Sequence, residues 1–305
     1  MTIREKLQII KNISGLTQEN LAKTLGVSFV AFNSWINKKS NPRRNAEKNI
    51  NNLYFQYTGQ KTIIQDPLMA KKQIILAKSK RYKNVLKKIT KNPDIYDQIM
   101  LSLTYHTNRL EGSSLTENET KTILFDNITL SNKSMVEHLE VKNHQAAFSY
   151  LLKYLSNSSL KIDEKLILKL HGILMNGIKD DAGFYRRHGV RIVGTYVPTA
   201  NYLKVPQLMK ELTREINCQH KDAIAHVANI HSCFEKIHPF SDGNGRVGRL
   251  IMQAMLLKKN LPLAIIEQKQ KRFYNNYLRM SQMKEDFLPL ENFICDVILK
   301  IFKIL

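Results

Sequence analysis

The run His238-Pro-Phe-Ser-Asp-Gly-Asn-Gly-Arg-Val-Gly-Arg249 leads without a break into Leu250-Ile-Met-Gln-Ala-Met-Leu-Leu257. The second stretch is apolar on nearly every side, the pattern of a helix buried all round. Whatever fold this chain adopts must bury that helix while its entrance carries a histidine, a carboxylate and two arginines. Arg246 and Arg249 are three residues apart and leave one face of the first turn. Two guanidiniums at a buried helix mouth are costly unless an anion or a carboxylate pairs with them. The glycines permit a tight turn whose N–H groups converge on an anion, and the helix N-terminus adds its positive dipole end. Asp242 is a hard oxygen ligand suited to Mg²⁺, and His238 titrates near neutrality, as a general base should. These are the parts of a phosphoryl-transfer site.

The same twelve residues match, at every defining position, the signature His-x-Phe-x-Asp/Glu-Gly-Asn-Gly-Arg-x-x-Arg, so residues 238–249 resemble the Fic family. The resemblance implies a nucleotidyltransferase that binds ATP with Mg²⁺, or Mn²⁺ in its place, and moves AMP onto a Ser, Thr or Tyr hydroxyl of a target protein or of itself. On that reading His238 is the catalytic base and Asp242 the metal ligand. Asn244 and the backbone of Gly243 and Gly245 surround the α-phosphate, Arg246 steadies the β-phosphate and Arg249 binds the γ-phosphate. Phe240 anchors the loop.

Upstream, Thr107 and Glu111 lie four residues apart on one helix face, and Gly112 ends that helix. This spacing resembles the inhibitory motif of Fic proteins that carry it ahead of the catalytic core. The resemblance implies that Glu111 pairs with Arg249 and forces ATP into an unproductive pose. Between the two motifs, Asp181 to Pro198 is the clearest strand candidate. Val190, Ile192 and Val197 beside glycines predict a short hairpin, and Gly183-Phe-Tyr-Arg186 is similar to the turn before the Fic target-binding flap, here expected near 189–205 with Tyr196 beside the nucleotide. Ala223 to Ile237 reads as the helix that delivers His238. Its His226 and His231 have no companion carboxylate spacing for zinc and are read as core or supporting groups.

Elsewhere Gly and Pro are scarce (12 and 8 of 305 residues), which points to a mainly α chain. The expected fold is an all-helical Fic core with a short β-hairpin flap, plus a small N-terminal helical bundle. The domains read as 1–57, a basic helical linker at 58–94, and a catalytic domain at 95–305 with its inhibitory helix near 98–112. Within 1–57, Thr17 and Ser28 are placed as N-caps of two short helices, and Leu21, Leu25, Val27, Phe32 and Trp35 supply a core. This pattern resembles the Cro/repressor helix-turn-helix, which implies that Gln18, Ser28, Phe29, Asn33, Ser34 and Asn37 lie at a DNA interface, with Lys38 and Lys39 near phosphates. The apolar Phe29 and Val30 depart from a polar groove-facing start and leave a protein-binding face open.

The formal charge of +21 is uneven: Lys61 to Lys91 carries ten basic residues and one acid, a stretch suited either to a polyanion or to a solvated helix. Cys218, Cys233 and Cys295 lack metal-ligand spacing and read as reduced thiols. No apolar run reaches the ~18 residues of a spanning helix, so the expectation is a soluble cytoplasmic protein without a membrane partner, its homo-oligomeric state open. Two other functions stay open: removal of AMP, with Glu111 positioning water, and DNA-binding regulation by a nucleotide-sensing domain.

Overall fold

The computed structural model describes residues 1–192, 194 and 196–305. The chain divides into two compact units, one of Met1–Lys83 with Asn292–Leu305 and the other of Asn84–Glu291.

The first unit contains α1 (Ile3–Ser14), α2 (Gln18–Thr24), α3 (Phe29–Ile36), α4 (Arg44–Thr58) and α5 (Pro67–Ser79). Local chemistry starts these helices. Thr2 and Glu5 form a capping box on α1, Thr17 accepts from the Asn20 N–H, and Ser28 accepts from the Ala31 N–H. Helix α1 packs along α4 and against α3. Leu7, Ile10, Leu21, Phe32, Ile50 and Tyr54 have no accessible surface, so a continuous apolar core holds the unit together.

The division falls elsewhere than the boundaries at 57 and 94 read from the sequence. Helix α5 buries Ala70, Ile74 and Ile75 completely. Its Lys71 is 6% exposed and donates to Asn292 at 2.8 Å while pairing with Asp296 at 2.7 Å. That lysine, counted among the basic residues of a linker, is therefore committed to an internal ion pair rather than to a polyanion.

The second unit contains α6 (Val85–Lys91), α7 (Pro93–Glu111), α8 (Glu117–Lys121), α9 (Met135–Leu155), α10 (Glu164–Leu174), α11 (Val205–Ile216), α12 (Ala223–Ile237), α13 (Asn244–Lys258) and α14 (Lys271–Lys284). The last helix, α15 (Leu288–Ile301), runs across the division at residue 292. The apolar run after Arg249 is indeed a central helix: every residue of α13 from Arg246 to Leu257 is buried. It is surrounded by α12, α10, α9 and α7, and α12 packs in turn on α11 and α14. This arrangement fixes the entrance of α13 against the C-terminus of α7.

None of the described residues forms a strand. In the segment expected to form a flap, Val193 and Thr195 lie outside the described residues. Around them, the Thr199 hydroxyl donates to the Val190 carbonyl at 2.8 Å, Val197 is buried and Tyr196 is 97% exposed. No helix among the described residues is long and apolar enough to cross a membrane.

Candidate active site

His238 caps the C-terminus of α12 in a left-handed conformation (φ 52°), and α13 begins six residues later, behind Gly243. The intervening loop is held from three directions. Asn244 clasps the Phe240 backbone, its Oδ1 accepting from the N–H and its Nδ2 donating to the carbonyl, both at 2.9 Å. The Phe240 ring, fully buried, stacks on His171 from α10 with centroids 3.7 Å apart. His171 Nδ1 accepts the Gly183 N–H at 2.9 Å, so its Nε2 carries the proton donated to the Asp242 carbonyl at 3.1 Å. Burial pushes its pKa down to about 4, which keeps that neutral tautomer. Arg186, 2% exposed, donates to the carbonyls of His238 and His188 at 2.7 Å and also to those of Ala200 and Ile237. Its guanidinium thus ties the segment after α10 to the end of α12. The Asn244 side chain holds the loop through its two bonds to Phe240.

His238 Nδ1 lies 3.2 Å from the Glu235 carbonyl. A carbonyl only accepts, so Nδ1 bears the proton and Nε2 keeps its lone pair. Burial lowers the pKa of the ring, and the neutral form is the one present near pH 7. The two arginines at the entrance of α13 are both buried, and each is met by a carboxylate. Arg249 Nε donates to the Thr107 hydroxyl at 2.7 Å, and its Nη2 donates to Glu111 Oε1 and, at 3.3 Å, to the Thr107 carbonyl. Thr107 and Glu111, predicted to share a face of α7, converge on this one guanidinium. Arg246 Nη1 donates to Glu140 Oε1 from α9 at 2.8 Å, and its Nη2 lies 3.6 Å from Asp242 Oδ1. Asp242 accepts its own loop's Gly243 N–H at 2.6 Å and has Lys179 Nζ 3.8 Å from Oδ2. Glu140, Lys179 and His171 were not found from the sequence, where each is a single polar residue on an otherwise ordinary element.

Two glycines of the signature make room for carboxylates. A Cβ on Gly245 would stand 2.3 Å from Glu111 Oε1, and a Cβ on Gly248 would stand 2.4 Å from Glu235 Oε1. Only glycine lets these acids approach the α13 backbone so closely. The Glu111 carboxylate therefore sits at the N-terminal mouth of α13, where N–H groups and the helix dipole favour an anion. Burial raises its pKa, but the charge and hydrogen bond of Arg249 outweigh that and hold it below the ordinary value, so the group is ionised. Glu140 ends on the other side: burial outweighs Arg246 and raises it. The groups open on a cavity of about 1100 Å³ whose near wall includes Glu111, His238, Asp242 and Arg249 and whose far wall is α14, with Lys271 and Arg279. Arg191, Ile192 and Gly194 also line it. Its size suits a nucleotide-sized ligand with a cationic lining for phosphates.

The residues predicted to lie at a DNA interface are in the first unit. Ser28, at the start of α3, is exposed and engaged in capping. Asn37 donates to the Asn33 carbonyl and Oδ1 at 2.9 and 2.8 Å, and Ser34 Oγ lies 2.8 Å from Ser40 Oγ. Phe29 and Val30 are 49% and 77% exposed, and Gln18 opens α2.

Residues 161–256, a segment of the second unit, match the model of the Fic/DOC family. The chain is 31% identical over 196 residues to the protein adenylyltransferase Fic of Drosophila ananassae, covering 63% of this chain and 39% of that protein. It is 32% identical over 205 residues to that of Drosophila yakuba, with the same coverage. It thus spans about two fifths of the curated relatives it matches. Among solved structures, a Fic-domain-containing signaling protein from Bacteroides thetaiotaomicron superposes with a TM-score of 0.67 at 22% identity, over 76% of this chain and 95% of that one. Fic-1 from C. elegans superposes with a TM-score of 0.66 at 20% identity, over 93% and 82%. At those identities the likeness is one of fold.

Glu235, one turn before His238, is the acid the sequence reading passed over. It is 6% exposed, lines the cavity, and its Oε1 has no hydrogen-bond partner among the described residues. Burial pushes its pKa from 4.5 up to about 8, with Arg249 pulling down and Glu111 pushing up. The folded-state pKa lies above the unfolded one, so the stability that goes with the neutral acid is complete below about pH 4.5 and is lost as pH rises toward about 8. The Glu235→Gln variant should therefore be nearer in melting temperature to the natural chain at pH 5 and progressively more stable than it toward pH 8. A melting-temperature difference that stays flat across that range would show that Glu235 ionises normally.

Proposed function

We propose that this chain transfers the AMP group of ATP to a hydroxyl side chain of a protein, and that Glu111 restrains the transfer by occupying Arg249. The observation that carries the reading is the neutral His238, hydrogen-bonded through Nδ1, with a free Nε2 beside a cationic helix mouth. Nε2 takes the proton of the incoming Ser, Thr or Tyr hydroxyl. The hydroxyl oxygen then bonds to the α-phosphorus, the bond from that phosphorus to the bridging oxygen breaks, and pyrophosphate leaves. The backbone N–H of Gly245 and the N-terminus of α13 stabilise charge on the α-phosphate. In this reading Arg249 and Arg246 meet the outer phosphates; Arg249 lines the cavity, with Lys271 and Arg279 on its opposite wall.

Asp242 fits a divalent cation: it is the half-exposed carboxylate of the loop, and only its Oδ1 is used by the backbone. Mg²⁺ held by one carboxylate, water and substrate phosphates is a common arrangement, and Mn²⁺ can replace it. When bound, the ion would neutralise charge on the phosphates. Asp242, presently near Lys179 and Arg246, would orient it.

Restraint follows from competition for one guanidinium. While Glu111 and Thr107 engage Arg249, a terminal phosphate lacks its cationic partner and must also displace a carboxylate from the α13 mouth. We extend the reading to the first unit. Helices α2 and α3 are proposed to form a helix-turn-helix, with the exposed start of α3 and Lys38 and Lys39 facing DNA. Selection by the full chain from a random duplex pool should enrich one motif, and Asn33→Ala should cost about 1–3 kcal/mol toward it. A pool left unenriched would instead favour a protein-binding role for Phe29 and Val30.

The transfer itself is tested by intact mass after incubation with ATP, Mg²⁺ and a proteome extract or the chain alone. Glu111→Gly should label about tenfold or more faster than the natural chain, and Glu111→Gly/His238→Ala should not label. Labelling that survives loss of His238 would remove the proposed base. AMP lost from a premodified protein in the presence of the natural chain, but not of Glu111→Gly, would turn the assignment toward AMP removal.

A further inference from the structure

Away from the cavity, the turn between α11 and α12 gathers three groups that the sequence kept apart. Glu215 stands in the last turn of α11, His226 in the first turn of α12, and His220 in the loop between them. A ligand atom from each lies within 4.8 Å of the other two. His220 Nε2 is 2.8 Å from Glu215 Oε1, and His226 Nε2 is 3.9 Å from the same oxygen and 3.0 Å from the Glu215 carbonyl. The two imidazoles stack with centroids 3.9 Å apart.

We propose that Glu215, His220 and His226 form a binding site for a borderline divalent transition-metal ion, Zn²⁺ being the natural candidate. The argument is geometric. With Zn–N and Zn–O bonds of about 2.0–2.1 Å, two ligand atoms of a tetrahedral site stand about 3.3 Å apart. The separations of Glu215 Oε1 from His220 Nε2 and from His226 Nε2, 2.8 and 3.9 Å, straddle that edge. Closing the longer separation and turning the stacked rings so that both Nε2 lone pairs point at one place would bring the three atoms onto one ion.

The chemistry of the donors selects the metal class. Two imidazoles and one carboxylate suit zinc and its first-row neighbours, whereas Mg²⁺ and Ca²⁺ prefer oxygen alone. Neutral imidazole is required, and burial, with the neighbouring His220, lowers the pKa of His226. The Nε2–H of His226 now donates to the Glu215 carbonyl, so binding through Nε2 requires the neutral ring to change tautomer, its proton moving to Nδ1, and the carbonyl becomes available as a further oxygen ligand. One side of the cluster is closed, since the His226 side chain is 3% exposed. The other is open, since those of His220 and Glu215 are 40% and 48% exposed, so water can complete the coordination shell.

Such an ion would join the end of α11 to the start of α12, the helix whose other end presents His238. The site is independent of the AMP-transfer reading and would stand if that reading failed. Its test uses the full chain stripped by chelator and titrated with Zn²⁺ against a chromophoric competitor, with melting temperature followed in parallel. One tight equivalent and a raised melting temperature are expected. His220→Ala removes a solvent-exposed loop ligand without cutting the core, and Glu215→Gln removes the charge. Each should weaken that equivalent by about tenfold or more, since even partners beyond the direct ligands are worth that much, and should abolish the melting shift. Cys218→Ser, which alters the exposed thiol nearby, should leave both unchanged. No tight equivalent, or one equally strong in His220→Ala and Glu215→Gln, would overturn the assignment.

Discussion

Two guanidinium groups stand at the buried entrance of α13, and the second unit is organised around satisfying them. Glu111 reaches Arg249 from α7, and Glu140 reaches Arg246 from α9. Removing one member of a buried pair strands the other at a cost of about 3–5 kcal/mol. The two pairs therefore fix which helices lie beside the signature loop, and at what depth. The same constraint makes the site responsive. A cationic helix mouth that must be neutralised by protein carboxylates is also one that phosphates can enter by exchange.

The carboxylates around this mouth are differentiated by surroundings rather than by chemistry. Glu111 meets a full guanidinium hydrogen bond and stays ionised. Glu140 is more deeply desolvated than its arginine can offset, and Glu235, without a partner for Oε1, is held neutral up to about pH 8. One positive charge, on Arg249, thus lies between an ionised acid at the α13 N-terminus and a neutral acid beneath Gly248. Burial is the main cause of the raised Glu235; loss of the Glu111 contact would remove the further charge that pushes it up and leave burial opposed by Arg249. The two acids are thereby coupled through a shared guanidinium.

What the sequence made legible follows from contiguity. The signature loop packs its chemistry into twelve adjacent residues, and Thr107 and Glu111 are helical neighbours, so spacing alone was enough to pair them. The need for anions or carboxylates at Arg246 and Arg249 was also readable, since apolar α13 left no other outcome. The identity of one partner was not. Glu140 lies 106 residues from Arg246 and is one of two acids on α9. His171 and Glu235 act through a stacked ring and a carbonyl, contacts with no residue-type signature. The glycines carried a second meaning hidden in the same way: beyond shaping a turn, Gly245 and Gly248 clear space for acids from α7 and α12. Lys71 and Asp296 show the limit at domain scale, because a lysine counted as linker charge finds its partner 225 positions later. The cluster at Glu215 shows it for metals, since a helix end, a loop and a helix start converge without a regular interval.

The central claim is that Glu111 occupies the place of a terminal phosphate at Arg249. Calorimetric affinities for a non-hydrolysable ATP analogue and for AMP, measured with Mg²⁺ on the natural chain and on Glu111→Gln, address it most directly. The account predicts that the substitution tightens the ATP analogue by about fivefold or more and leaves AMP within about twofold. Equal changes for both ligands, or none for either, would contradict it.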